Sequence, residues 1–217
     1  MALPTYLSLI NKVLVRMRET EVSDLSDEYT LLVGTFVNDA KSQVEAAHDW
    51  SGLRSDVAIL TVVDQYEYSL TGAGNKVKID SLYNTTSASE IVEARRRWID
   101  RERKTTPSAA QAPTFYANDG VDTSGDAIIT LYPKPDAIYT LSASTWQRTV
   151  DLSAVGDTIA APEQPIYTLA LALAVRERGE VAGQATLEYF EIAKRSLSDE
   201  IQYDSARNDD EDTWYWV

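Results

Sequence analysis

The hydrophobic pattern changes period twice along this chain, and that change limits the fold more than any other feature. At both ends apolar residues recur every three or four positions, the spacing of one helix face. Between those ends they alternate at every second position, the spacing of a strand with one buried face. Tyr6, Ile10, Val13, Leu14 and Met17 mark a first helix, and Thr5 after Pro4 is placed to cap it. Residues 19–24 are polar and read as a loop. Val33, Val37, Ala40, Val44 and Ala47 mark a second helix, with Ser26 or Asp27 as its cap and acidic Asp27 and Glu28 at its positive end. Ser51-Gly52 ends it. A third helix begins near Pro162, with Pro165 suited to its first turn. It carries Ile166, Leu169, Ala170, Leu173 and Ala174. A fourth covers about Gln184 to Asp204, with Tyr189, Phe190, Ala193, Leu197 and Ile201 on its inner face.

The middle of the chain reads as strands. Asp56 to Val63 is rich in β-branched residues. Gln65 to Leu70 alternates Tyr66, Tyr68 and Leu70 with polar residues, and Gly72-Ala73-Gly74-Asn75 is a turn. Lys76 to Tyr83, Thr114 to Ala117, Ala127 to Tyr132 and Ile138 to Trp146 are further strands, the last two linked by Pro133-Lys134-Pro135-Asp136. Residues 93–104 admit two readings, the end of a strand or a short helix. Neither terminal half can bury its stripe alone. The expected fold is therefore α+β: a four-helix bundle built from two N-terminal and two C-terminal helices, an inserted antiparallel β sandwich or barrel, and an extended C-terminal tail. The expected boundaries are 1–55 and 162–204 for the two halves of the bundle, 56–161 for the β module and 205–217 for the tail.

Composition excludes several functions. With no cysteine, disulfides, thiol catalysis and zinc–thiolate sites are ruled out, and a reducing compartment is expected. The longest apolar run, Leu169 to Val175, is far too short to span a bilayer. The first residues lack the basic leader of a secretory signal, so no membrane association is expected. Net charge is −14. Residues 162–217 carry 5 basic and 12 acidic side chains, half of the total excess. That is the opposite of a nucleic-acid footprint, although an acidic wall lets a duplex slide past without sticking.

Catalytic chemistry finds little to stand on. The single histidine, His48, precedes Asp49 and Trp50 at the end of the second helix. Its simplest role is to face the negative helix end. A His-based metal site would need further histidines. Gly72-Ala73-Gly74 lacks the third glycine of a dinucleotide loop. Asp209-Asp210-Glu211-Asp212 lacks the alternating ligands and central glycine of a calcium loop. Asn84-Thr85-Thr86 matches a glycosylation acceptor, but nothing routes the chain through secretion. No catalytic residue, metal ligand or cofactor is assigned.

Two surfaces remain. Arg95, Arg96, Arg97, Arg101 and Arg103, with Lys104, form one basic patch, interrupted by Asp100 and Glu102 and anchored by Trp98 and Ile99. It is a solvated helix face, a nucleic-acid contact or a dock for an acidic partner surface, the last including a contact between subunits in which the patch of one copy meets acidic residues of the next. The second surface is the C-terminal segment. After the acidic run 209–212 come Trp214, Tyr215, Trp216 and Val217. Large aromatics dominate binding hot spots, so these four residues are expected to plug a crevice in another protein.

The order of these motifs resembles a known family. Ala46-Ala47-His48-Asp49-Trp50, Gln65 to Leu70, Pro113 to Tyr116, Ile128 to Pro135 and the Leu/Ala-rich helix ending Glu177-Arg178-Gly179-Glu180 together look like the head-to-tail adaptor proteins of short-tailed bacteriophages. The resemblance implies a structural virion protein with no enzymatic activity, located in the tail below the portal. It implies a ring of identical subunits, typically twelvefold, bound to the portal protein on one side and to the tail nozzle or tube on the other. DNA would pass through the lumen without sequence-specific binding. The extension from about Asp204 to Val217 would dock on the portal, with Trp214, Tyr215 and Trp216 as the plug. Two other classes are alternatives: a tail-associated, muramidase-like cell-wall hydrolase using a Glu–Asp pair, and an acidic binding module that mimics DNA.

Overall fold

The computed structural model describes residues 3–105, 110–179 and 184–207. Five α-helices and seven strands follow the order α1 (Tyr6–Arg16), α2 (Glu28–Ala47), β1 (Arg54–Leu60), β2 (Glu67–Ser69), β3 (Val77–Asn84), β4 (Ser89–Glu93), α3 (Arg96–Thr105), β5 (Phe115–Val121), β6 (Ala127–Tyr132), β7 (Thr140–Gln147), α4 (Glu163–Arg178) and α5 (Gln184–Arg207). The fold is mixed α+β. It divides into two compact units, one from Met1–Leu53 with Thr149–Val217 and one from Arg54–Arg148. Among the described residues no helix is long and apolar enough to cross a membrane.

The helical unit gathers α1, α2, α4 and α5. Thr5 caps α1 in a reciprocal box with Ser8. Asp27 caps α2 by accepting from the backbone N–H groups of Tyr29 and Thr30. The predicted stripes face one core: Ile10, Val13, Val33, Val37, Ala40, Ile166 and Ala170 are fully buried, and so is Leu9, which the stripe of α1 did not include. Gly34 leaves room for the Tyr6 side chain between α1 and α2, since a Cβ there would collide with the Tyr6 hydroxyl. α5 packs more thinly. Ala193 and Asp204 are its buried residues among those described, and Leu187, Ile192 and Tyr203 are exposed. It also runs three residues beyond the predicted end at Asp204.

The chain leaves this unit after Leu53 and re-enters it at Thr149. A polar face of α2 holds the re-entry. The Asn38 side chain accepts from the Leu152 N–H at 2.9 Å and donates to the Leu152 carbonyl at 3.0 Å. Lys41 Nζ donates to the carbonyls of Thr149 and Val150, both at 2.9 Å. Glu45 accepts from the Thr149 N–H at 3.1 Å and from its hydroxyl at 2.7 Å. Lys41 and Glu45 lie 3.3 Å apart with side chains 1% exposed. Buried charges are tolerated only when paired and fully hydrogen-bonded, and here the returning backbone supplies the missing partners.

The second unit is one seven-stranded sheet in the order β1-β7-β3-β4-β5-β6-β2. Its core is Ile59, Tyr68, Leu70, Leu82, Ile91, Tyr116, Ile129, Leu131 and Leu141. The sheet is not wholly antiparallel, because β4 and β5 pair in parallel through Val92↔Phe115 and Glu93↔Tyr116. Parallel neighbours require a crossover, usually helical. Residues 93–104 are therefore both of the things their sequence allowed: the end of β4, then the crossover helix α3.

Two outcomes check this account. Lys41→Met buries Glu45 without its cation, and should lower the unfolding free energy by about 3–5 kcal/mol, read from the urea midpoint. A loss of ~1 kcal/mol or less, the scale of an exposed pair, would mean that the clamp does little. The Tyr116 hydroxyl is pushed up to about 12, first by burial and then by Glu93, Asp80 and Glu90. Its neutral form favours the fold fully below the ordinary phenol value of 10.0. That contribution is lost as pH rises through about 12. Tyr116→Phe should flatten the alkaline fall in stability across that interval.

Candidate functional site

His48 sits at the C-terminal cap of α2, with its ring edge-on to Trp50 at 5.0 Å. Its Nε2 lies 3.3 Å from Asp204 Oδ2, outside hydrogen-bond geometry. The Ser51 N–H and hydroxyl donate to the two Asp204 oxygens at 2.9 and 2.5 Å. A hydrolytic triad needs the serine hydroxyl on the imidazole and the carboxylate behind it. Here the hydroxyl donates straight to the carboxylate and not to the imidazole, so the three groups are not in the order of a triad. The cluster instead ties the last turn of α5 to the turn that ends α2. Among the described residues no group of three or more His, Cys, Asp or Glu is placed to hold a metal.

The basic patch lies on α3 and the residue before it. One side of this helix is apolar and packs on β5 and β6. Ile99 is fully buried, and Trp98 stands edge-on to Phe115 at 5.0 Å and to Tyr132 at 5.8 Å. The cations divide into two sets. Arg96 turns to the sheet and pairs with Asp100 at 3.2 Å, with Asp119, and with the Thr130 hydroxyl. The Arg103 guanidinium lies 4.0 Å above the Tyr66 ring, a cation–π contact. Both therefore fasten the helix to its own unit. Arg95, Arg97, Arg101 and Lys104 are exposed. The structure thus keeps four of the six cations at the surface and uses the other two as anchors.

Trp214, Tyr215, Trp216 and Val217 lie outside the described residues, which end at Arg207. What the structure shows is how the helix leading to them is secured. Asp204, three residues before that end, is 7% exposed and held by Ser51. Beside α5, a hollow of about 390 Å³ opens between Val44 of α2, Pro165 and Leu169 of α4, and Phe190, Ala193, Lys194 and Leu197 of α5.

Sequence reasoning missed the Asp204–Ser51 tie and the α2 clamp. The clamp left a faint signal. Asn38, Lys41 and Glu45 recur at helical spacing directly beside the apolar positions Val37, Ala40 and Val44, too close to the core to be solvated. The tie left none, because its partners are 153 residues apart.

A family model described as SU10 adaptor protein matches residues 4–215. No curated protein matches the chain.

Asp204→Ala removes the tie while leaving the apolar face of α5 intact. Amide exchange in the last two turns of α5 should quicken by about tenfold, the loss of ~1.4 kcal/mol expected for hydrogen bonds to a charged group. Unchanged exchange there would show that α5 is held by its apolar contacts alone.

Proposed function

Because this chain belongs to the SU10 adaptor protein family, and so serves as a structural adaptor of a phage virion, we propose that it forms a ring below the portal and joins the capsid to the tail nozzle. The observation that carries the reading is the extent of the family match. It takes in both units and continues through the acidic run to Tyr215. In this reading the helical unit builds the wall of the DNA channel. The ring holds about twelve copies, as the resemblance to short-tailed phage adaptors implies, and a repeated weak contact gains strongly from avidity. The net charge of −14 keeps passing DNA from adhering. Trp214, Tyr215, Trp216 and Val217 insert into the portal protein, and the Asp204–Ser51 tie fixes the point from which that segment departs. Arg95, Arg97 and Arg101 on α3 face a neighbouring subunit, while Arg96 and Arg103 hold the helix in place.

Deleting residues 213–217, which leaves the acidic run in place, tests the portal contact. The truncated chain should keep the circular dichroism and urea midpoint of the full chain, and should no longer be captured by immobilised portal protein. Capture at undiminished strength would remove Trp214–Val217 from the interface.

A further inference from the structure

Six of the chain's 20 lysines and arginines fall within residues 95–104. With Asp100 and Glu102, that segment carries a charge of +4. The other 207 residues carry 14 basic and 32 acidic side chains, a charge of −18. Arg96 and Arg103 are engaged inside their own unit, which leaves Arg95, Arg97, Arg101 and Lys104 outward. Arg97, Arg101 and Lys104 follow one another at i, i+4 and i+7, one line along about 10 Å of helix. Arg101 has an exposed contact with Glu102 at 3.3 Å. Among the described residues Arg95, Arg97 and Lys104 form no ion pair. Like charges at helical spacing repel, and the packing of Trp98 and Ile99 prevents the helix from turning to disperse them.

We propose that the outward face of α3 is the seat for the acidic run Asp209-Asp210-Glu211-Asp212 of a second copy of this chain. Four carboxylates meet four outward cations. Four consecutive residues reach about 10 Å when extended, the length of the cationic line. Asn208 alone separates the run from the end of α5 at Arg207. Asp212, five residues past that end, can reach at most about 18 Å from it, so the seat on the adjacent copy lies within that distance of the end of α5. Residues 95–104 hold the densest group of cations in the chain and the rest of it is net acidic, which favours α3 as the surface that attracts the run. Seat and strap are different parts of the chain, so the contact is head-to-tail and repeats around a ring when the rotation closes. Exposed ion pairs are individually weak. One contact is therefore weak, and closure of the ring makes it persistent. The inference rests on the ring reading above and is independent of the portal contact made by Trp214–Val217.

Two full-length variants test it. One breaks the seat (Arg97→Glu with Arg101→Glu), and the other reverses the strap (D209K, D210K, E211K and D212K). Fluorescently labelled seat variant titrated with strap variant should bind, because one intact strap meets one intact seat. Either variant titrated with itself should bind about tenfold more weakly or worse, a difference of ~1.4 kcal/mol. Binding of the mixed pair should be clear at about 0.01 M ionic strength and gone at about 1 M, where the screening length falls from ~30 to ~3 Å. A chain carrying both sets of reversals should recover self-association. A mixed pair no tighter than the self-mixtures, or indifferent to salt, overturns the proposal. Loss of this contact with portal capture intact would sink the seat and leave the adaptor reading standing. Lost portal capture with this contact intact would do the reverse.

Discussion

The rest of the structure depends on how a buried ion pair is satisfied by a stretch of backbone far away in sequence. Lys41 and Glu45 sit inside the helical unit, and their mutual attraction alone would not offset the loss of hydration. Thr149 and Val150 complete them, and Asn38 reads Leu152 beside them. The condition is mutual. The returning chain has extended backbone groups that need partners, and α2 has buried charges that need the same. A chain that inserts 95 residues between two halves of one core (Arg54–Arg148) needs a device that fixes where the second half begins, and this is it.

The same logic places the other polar contacts of the helical unit at points where chain segments must be aligned. Tyr6 N–H donates to the Asp157 carbonyl at 2.8 Å and Ile159 N–H donates to the Pro4 carbonyl at 3.1 Å, which sets α1 against the segment that follows the clamp. Asp157 accepts from the N–H groups of Ser153 and Ala154, and these bonds hold its carboxyl below the usual carboxylate range. Asp204 secures the far end of α5. Apolar burial drives the assembly of the helices, and these few polar contacts decide register.

Periodicity made α1, α2 and α4 legible, because each buries a continuous stripe such as Val33, Val37, Ala40 and Val44. It also revealed the strands. What it could not reveal is pairing. The parallel β4–β5 pair depends on Val92 meeting Phe115, a relation that no local pattern records. For that reason the segment around Arg96 stayed ambiguous between strand and helix. The basic cluster was visible as charge, but its division was not. Only the fold shows that Arg96 turns to Asp119 and Arg103 to Tyr66, leaving a different set of cations outward. The α5 tie joins Asp204 to Ser51 across almost the whole chain and is invisible to any window of sequence. Trp214, Tyr215 and Trp216 stand where composition alone identifies them, and the family match extends through Tyr215.

An adaptor of this kind must be stable as a subunit and adhesive only at chosen surfaces. The electrostatics fit that requirement. Outside residues 95–104 the chain carries a net charge of −18, which disfavours indiscriminate contact between copies. The central claim is that this chain assembles into a ring on a portal. The mass of the complex formed by the full-length chain with its portal protein tests it most directly. The account predicts a single species in which the portal has gained one complete ring, about twelve copies by the family resemblance, with no intermediate loadings dominating, as avidity requires. A portal whose mass is unchanged in the presence of excess chain, or one that gains a single copy, would contradict it.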